Sequence, residues 1–267
     1  MREAFHDELD AITGNLVDMA QLVKVATKDA TTALLTADLT LAEKVIAQDD
    51  VIDQMQHDLD AITESLVTMT NLVKGATKDA TTALLTADLA LAEKVISQDD
   101  LIDSMQHELD AKTIVLLATQ QPVASDLRAL VTSLRMSADL ERMGDMAHHI
   151  AKLARLRFPA TAVPPEASLT IEEMGRVAGL IIDKLVKIIR ERDLKDAQQL
   201  AIDDDEMDKL HRKLIQSLIS KDWPHGAESA IDLTLLGRYY ERSADHAVSI
   251  ARRVHYLVTG SYAKEDK

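Results

Sequence analysis

The sequence predicts an all-α protein: two tandem antiparallel three-helix bundles with one additional helix at the N-terminus. Three observations carry that expectation. Gly (8) and Pro (5) are scarce in 267 residues, and aromatics make up 3%; Ala, Leu, Asp, Lys and Glu dominate, and they lose little on entering a helix. The prolines stand between apolar-periodic segments, not inside them. A block of 50 residues is written twice.

Residues 1–55 read as a duplicated extra segment whose first helix covers 1–37. ATKDATTALLTADLTLAEKVIAQDD (26–50) recurs as ATKDATTALLTADLALAEKVISQDD (76–100). From position 11 to position 50 the copies agree at about four positions in five, at a constant offset of 50 and without gaps. Repeats of this period usually build solenoids, but two near-identical copies fit a recent or engineered tandem duplication better. If Asp38 to about Ala87 is continuous helix, it runs close to 50 residues, roughly 70 Å at about 1.5 Å per residue.

Only the second copy leads directly into the rest of the chain, through a short turn at Thr86–Leu89. Using the first copy would loop out about 50 residues. It would also leave the apolar faces of 61–87 unburied, at about 25 cal/mol per Å². The N-terminal bundle is therefore expected over 56–158, followed by a linker at 159–165 and a C-terminal bundle over 166–260.

Pro122 separates two helical patterns, and Pro159, Pro164 and Pro165 in FPATAVPPEAS mark the linker. Pro224 in DWPHGAES fits the first turn of the last helix, where no N–H is needed. Asp38, Asp88 and Asp193 are each suited to N-capping. Each is followed after eleven positions by two aspartates spaced four apart: Asp49/Asp53, Asp99/Asp103 and Asp204/Asp208.

The formal charge of −15 argues against nucleic acid as a partner and against adhesion to anionic lipid. There is no cysteine, which fits a reducing cytoplasm. MREAFHDELDAIT has no apolar signal-peptide core, and no run of eighteen apolar residues points to a membrane span. A soluble, cytoplasmic protein is the expectation. No glycine-rich phosphate loop and no nucleophile with its base can be placed, so no catalytic residue is assigned.

What the chain does carry is paired acids. ERMGDMAHHIA starts at Glu141 and ERSADHAVSIA at Glu241, each putting Glu and Asp four apart on a helix, where like charges repel by a few tenths of a kcal/mol. Leu127, Val131, Leu134 and Ala138 form a stripe that continues into Glu141 and Asp145, while Met136, Leu140, Met143, Ala147 and Ile150 stay apolar. Acids within such a stripe must stay wet, pair with Arg or Lys, or bind a cation. Arg142 and Arg242 are placed to neutralise them.

Taken alone, Glu241/Asp245 reads as a solvated face, because Leu233, Leu236, Tyr240, Ala247 and Ile250 form the core stripe there. Asp99/Asp103 likewise reads as a solvated edge. The set argues otherwise: two DxxxD and two ExxxD pairs hold matching places in two bundles. Carboxylates alone suit hard cations such as Mg²⁺, Mn²⁺, Ca²⁺ or iron. His148 and His211 follow an Asp by three residues, the spacing of a di-iron carboxylate site, and His57 and His107 follow one by four. For each histidine the simpler reading is a lone surface side chain.

With these residues in view, the chain resembles the PhoU family in its actinobacterial form. The resemblance is carried by MREAFHDELD, AEKVISQDDLID, QQPVASDLR, ERMGDMAHHIAKLAR and LLGRYYERSADHAVSIARRVHYLVTG, from Met1 to about Gly260. It implies metal clusters on the bundle surfaces, with Asp99, Asp103, Glu141, Asp145, Asp204, Asp208, Glu241 and Asp245 as ligands and iron, manganese, magnesium or zinc as the metal. It also implies a cytoplasmic, often dimeric negative regulator of phosphate uptake and starvation signalling. The partners so implied are a PhoR-type sensor histidine kinase and the ATPase subunit of the Pst transporter. Residues 56–267 read as a complete member, so the first 50 residues are surplus. Two rivals stand beside this reading: a ferritin-like di-iron protein and a metal-free helical scaffold.

Overall fold

A computed structural model describes residues 24–120, 122 and 124–261. They form a leading helix α1, described over 24–36, then α2 (Leu39–Thr86), α3 (Leu89–Gln120), α4 (Ala124–Arg157), α5 (Pro165–Glu191), α6 (Leu194–Leu218) and α7 (Gly226–Thr259). No strand occurs among the described residues. The MREAFHDELD stretch lies outside them.

Local signals set the helix ends. Asp38 and Asp88 cap α2 and α3 by accepting from the amides of Leu41 and Leu91, at 3.0 and 2.9 Å. Asp193 caps α6 through Lys195 and Asp196, and each bond satisfies an orphan donor of the first turn. Ala37 and Ala87 both turn the chain in the left-handed region, at φ 53°. Pro165 is the first residue of α5, where its missing N–H costs nothing. Pro224 differs from expectation: α7 begins at Gly226, so this proline precedes the helix instead of opening it.

Helices α2, α3 and α4 pack together, and so do α5, α6 and α7. The two groups also join, α2 lying on α5 and α4 on α7, and their buried side chains form one contiguous core. The linker takes part, since Ala162 and Val163 are buried. At the α2–α5 crossing a Cβ on Gly175 would come within 2.5 Å of Thr81 Cγ2, so glycine permits the approach. Thr81 shares a 2.7 Å hydrogen bond with the hydroxyl of the fully buried Tyr240. Between α4 and α7, His246 Nδ1 and Arg253 Nε donate to Asp139 at 3.0 and 2.8 Å. Burial pushes the Asp139 carboxyl up, but these two donors outweigh it and hold the group below the usual carboxylate range.

Helix α2 has 48 residues, and its hairpin mate α3 has 32. The anticipated long helix is present and passes unbroken through position 55. Among its described side chains, the first that the bundle buries is Met55. The front of α2 therefore overhangs by 16 residues, 39–54, about 24 Å at about 1.5 Å per residue.

Candidate metal centre

The first acidic cluster lies between α3 and α4. On α4 the core stripe runs through Leu140, Met143, Ala147 and Ile150, all buried. Glu141, Asp145 and His148 follow one another at helical spacing along its edge. The stripe from which they continue is not core: Leu127 and Val131 are 42% and 37% exposed. The acids thus occupy a border between core and solvent, where carboxylates can keep part of their hydration.

Gly144 brings the opposing helix close. A Cβ there would stand 3.0 Å from Ile102 Cδ1 and 3.7 Å from Asp99 Oδ1. This close approach aims Asp99 at the α4 edge, where it accepts a hydrogen bond from His148 Nδ1. One ligand atom from each of Asp99, Asp145 and His148 lies within 4.8 Å of the others. His148 Nε2 is buried and has no hydrogen-bond partner. Reading His148 as a lone surface histidine is therefore wrong; Asp99 holds it in place.

The electrostatics show excess negative charge. Burial, then Asp145, raises the Glu141 carboxyl, against the pull of Arg142. Burial, then Asp99 and Asp145, raises Asp103. Arg142 reaches Asp145 Oδ2 at 3.1 Å and Glu141 Oε2 at 3.4 Å, yet Asp145 still raises both Glu141 and Asp103. Asp103 interacts with the group electrostatically and is not among the three converging ligands.

The second cluster lies between α6 and α7. Asp204 is pushed up to about 7 by burial first, then by Asp245, Asp208 and Glu241. Its Oδ1 is buried without a hydrogen-bond partner. Burial and Asp245 raise Glu241, while Arg238 and His211 oppose them. The neutralising cation is Arg238, one turn before Glu241, and not Arg242 as the sequence suggested. Asp208 and Asp245 are exposed. Aligning ERMGDMAH with ERSADHAV puts Val248 where the first cluster has His148, so that position gives this cluster no nitrogen donor.

The remaining candidates lie outside these two groups of acids, although the charge of His107 opposes the rise of the Asp103 carboxyl. Asp49 and Asp53, the copies of Asp99 and Asp103, are exposed on the overhang of α2, and His57 and His107 are exposed as well. The sequence signal for His148 was its i, i+3 relation to Asp145, which His211 shares with Asp208. Only the tertiary contact with Asp99 tells them apart.

Among the described residues only Asp99, Asp145 and His148 bring ligand atoms close enough together to share one cation; the acids of the second cluster act on one another electrostatically without converging in that way. Two buried polar atoms, His148 Nε2 and Asp204 Oδ1, lack partners, and each sits among carboxylates whose ionisation a cation would favour. Two carboxylates with an imidazole suit iron, manganese or zinc, and carboxylate oxygens alone suit magnesium or manganese.

Comparison with known proteins places this architecture. The PhoU domain model matches residues 16–68, 66–154 and 171–254. The phosphate-specific transport system accessory protein PhoU homolog 2 of Mycobacterium tuberculosis is 45% identical over 262 residues, covering 98% of this chain and 100% of that protein. Homolog 1 of Mycobacterium leprae is 44% identical over 266 residues, covering 100% of this chain and 97% of its own. The crystal structure of PhoU from Pseudomonas aeruginosa superposes with a TM-score of 0.70 at 28% identity, covering 77% of this chain and 99% of its own. PhoU from Streptococcus pneumoniae, at 24% identity, shares the fold with a TM-score of 0.71. With matched domains spanning most of its length and relatives aligned end to end, the chain belongs to the PhoU family.

Proposed function

We propose that the protein is a regulatory accessory component of phosphate-specific transport, an adaptor without catalytic activity that holds metal ions on its two acidic clusters. The observation that supports this best is the end-to-end likeness to mycobacterial proteins named as accessory proteins of that system. Its partners in this reading are a PhoR-type sensor histidine kinase and the ATPase subunit of the Pst transporter. It reaches them at the cytoplasmic face and represses uptake and starvation signalling when phosphate is plentiful. No described helix is long and apolar enough to cross a membrane, which suits attachment through partners.

In this reading Asp99, Asp145 and His148 hold the metal of the first cluster, with Glu141 and Asp103 beside them. Asp204, Asp208, Glu241 and Asp245 hold that of the second. A bound cation supplies positive charge that offsets the repulsion among the acids. The protein's own part is to fix α3 against α4 and α6 against α7 at the distance the acids require. The di-iron alternative draws support from His148, yet Val248 removes the matching nitrogen from the second cluster, and an oxygen-consumption assay with Fe²⁺ should show no turnover.

The test is co-purification with the Pst ATPase subunit and with the cytoplasmic region of the kinase, before and after chelation. Retention of both, weakened by chelation, is expected. Failure to retain either partner in either state rejects the adaptor reading.

A further inference from the structure

The groove that α4 and α5 offer to α2 can be filled by either copy of the repeat. Every buried apolar residue from Leu59 to Val95 has the same residue 50 positions earlier, as with Ile62 and Ile12, Val73 and Val23, or Leu84 and Leu34. Among the buried residues of that span only Thr70 differs, with Ala20 in its place. The polar contacts of the groove are duplicated as well. Thr81 meets Tyr240, Lys74 meets Asp183 and Arg155 reaches Glu93; the copies are Thr31, Lys24 and Glu43. Val25 replaces Gly75, where an added Cβ would meet nothing within 4 Å, so the branched side chain has open space. The first copy also makes the hairpin turn already, through Ala37 at φ 53° and the Asp38 cap. Yet Leu34 is 83% exposed where Leu84 is 0% exposed.

We infer that the N-terminal bundle has two closures that exchange. In the one described above, the second copy lies on α4 and α5. In the other, the first copy takes that place. Helix α3 is then made from residues 39–50 and 101–120, residues 51–100 stand outside as an insertion, and Asp49 replaces Asp99 beside His148. The core keeps its side chains, so burial does not separate the closures; chain continuity does. The described closure leaves α3 unbroken from Leu89 to Gln120. The alternative interrupts it between Asp50 and Leu101 and closes a loop of 50 residues. Loop closure grows only slowly with length, so the described closure is favoured by its continuous helix and not by its core. Two packings of one sequence with so small a difference form a switch. A partner that grips whichever copy is free would bias it.

Hydrogen–deuterium exchange of the full chain reads which copy is packed, because peptides from 24–46 and 74–96 differ in mass at Val25/Gly75 and Thr40/Ala90. Without substitution, 24–46 should exchange faster than 74–96, on the order of tenfold or more. Leu84→Asp buries a charge if the second copy stays packed, at a large cost. It should therefore reverse the order, making 24–46 the protected copy. Leu34→Asp should leave the original order unchanged. Leu34→Asp/Leu84→Asp leaves no intact copy and should lose protection in both peptides. A Leu84→Asp chain that loses protection in both, as the double variant does, overturns the inference. So does one in which 74–96 stays the protected copy.

Discussion

Residues 24–60 and 74–110 are nearly the same sequence in two environments. Their local structure agrees. Each copy ends a helix with Ala at φ 53°, restarts with an Asp cap, and bonds the Asp amide back to an alanine carbonyl, at 2.9 Å in the first copy and 3.1 Å in the second. Their burial differs along the apolar face: Leu34, Leu35 and Ile46 are exposed where Leu84 is buried and Leu85 and Ile96 pack against the core, although Ala33 and Ala83 are both buried. The turn depends on residues within one hairpin, so both copies make it. Burial depends on α4 and α5, which the first copy reaches only at its end, from Met55. The same contrast holds for chemistry: Asp99 meets His148 and Asp145, while its copy Asp49 meets no ExxxD helix.

The comparison can be broken most directly in the core. Leu84→Ala should destabilise the bundle by about 2–5 kcal/mol, as for a fully buried leucine. Leu34→Ala should leave the bundle's transition within about 0.5 kcal/mol. Urea denaturation followed by circular dichroism measures both, and equal costs would mean that the first copy also builds the core.

Metal binding gives the next largest difference. A ligand at 100 times its Kd stabilises the folded state by about 2.7 kcal/mol, so added Mn²⁺ or Fe²⁺ should raise the melting temperature. Glu141→Ala/Asp145→Ala and Asp99→Asn should blunt that rise, while Asp49→Asn should not. A rise untouched by the first two variants removes the first cluster as the site.

Deleting residues 1–50 sharpens the comparison further. The remaining chain should fold and bind metal as before, as circular dichroism and calorimetry would show. An unfolded product would mean that the surplus copy supports the bundle.

Acidity probes the second cluster. The folded-state pKa of Asp204 is raised to about 7, above its ordinary value near 3.8, so the native state holds a proton that the unfolded chain releases. Its contribution is full below about pH 4 and is lost as pH rises through about 7. Metal-free protein should therefore lose melting temperature across that interval, and Asp204→Asn should flatten the slope. A slope unchanged by that substitution would assign the effect to other groups.

The smallest effect tests the turn itself. Glycine accepts a positive φ without the Cβ clash, so Ala87→Gly should stabilise the bundle by about 0.5–1 kcal/mol. Ala37→Gly should leave the bundle's transition unmoved, because its turn lies beyond the core.

The sequence by itself determined the helices, their caps at Asp38, Asp88 and Asp193, the long α2 and the paired acids, because these rest on contacts within a few turns of one chain segment. It also supplied the core stripes of α4 and α7 through their periodicity. Periodicity did not show that Leu127 and Val131 lie at the edge, since a stripe records which residues share a face and not what lies opposite. It left His148 and His211 equivalent, because both stand three residues after an aspartate. The approach of α3 at Gly144, which brings Asp99 to His148, separated them. Arg238, three residues before Glu241 on the same helix, takes its charge instead of Arg242, because residues three apart share a helix face and adjacent ones do not. Which copy of the repeat lies in the core was decided by connectivity and contact together, because apolar residues are buried only where another surface meets them.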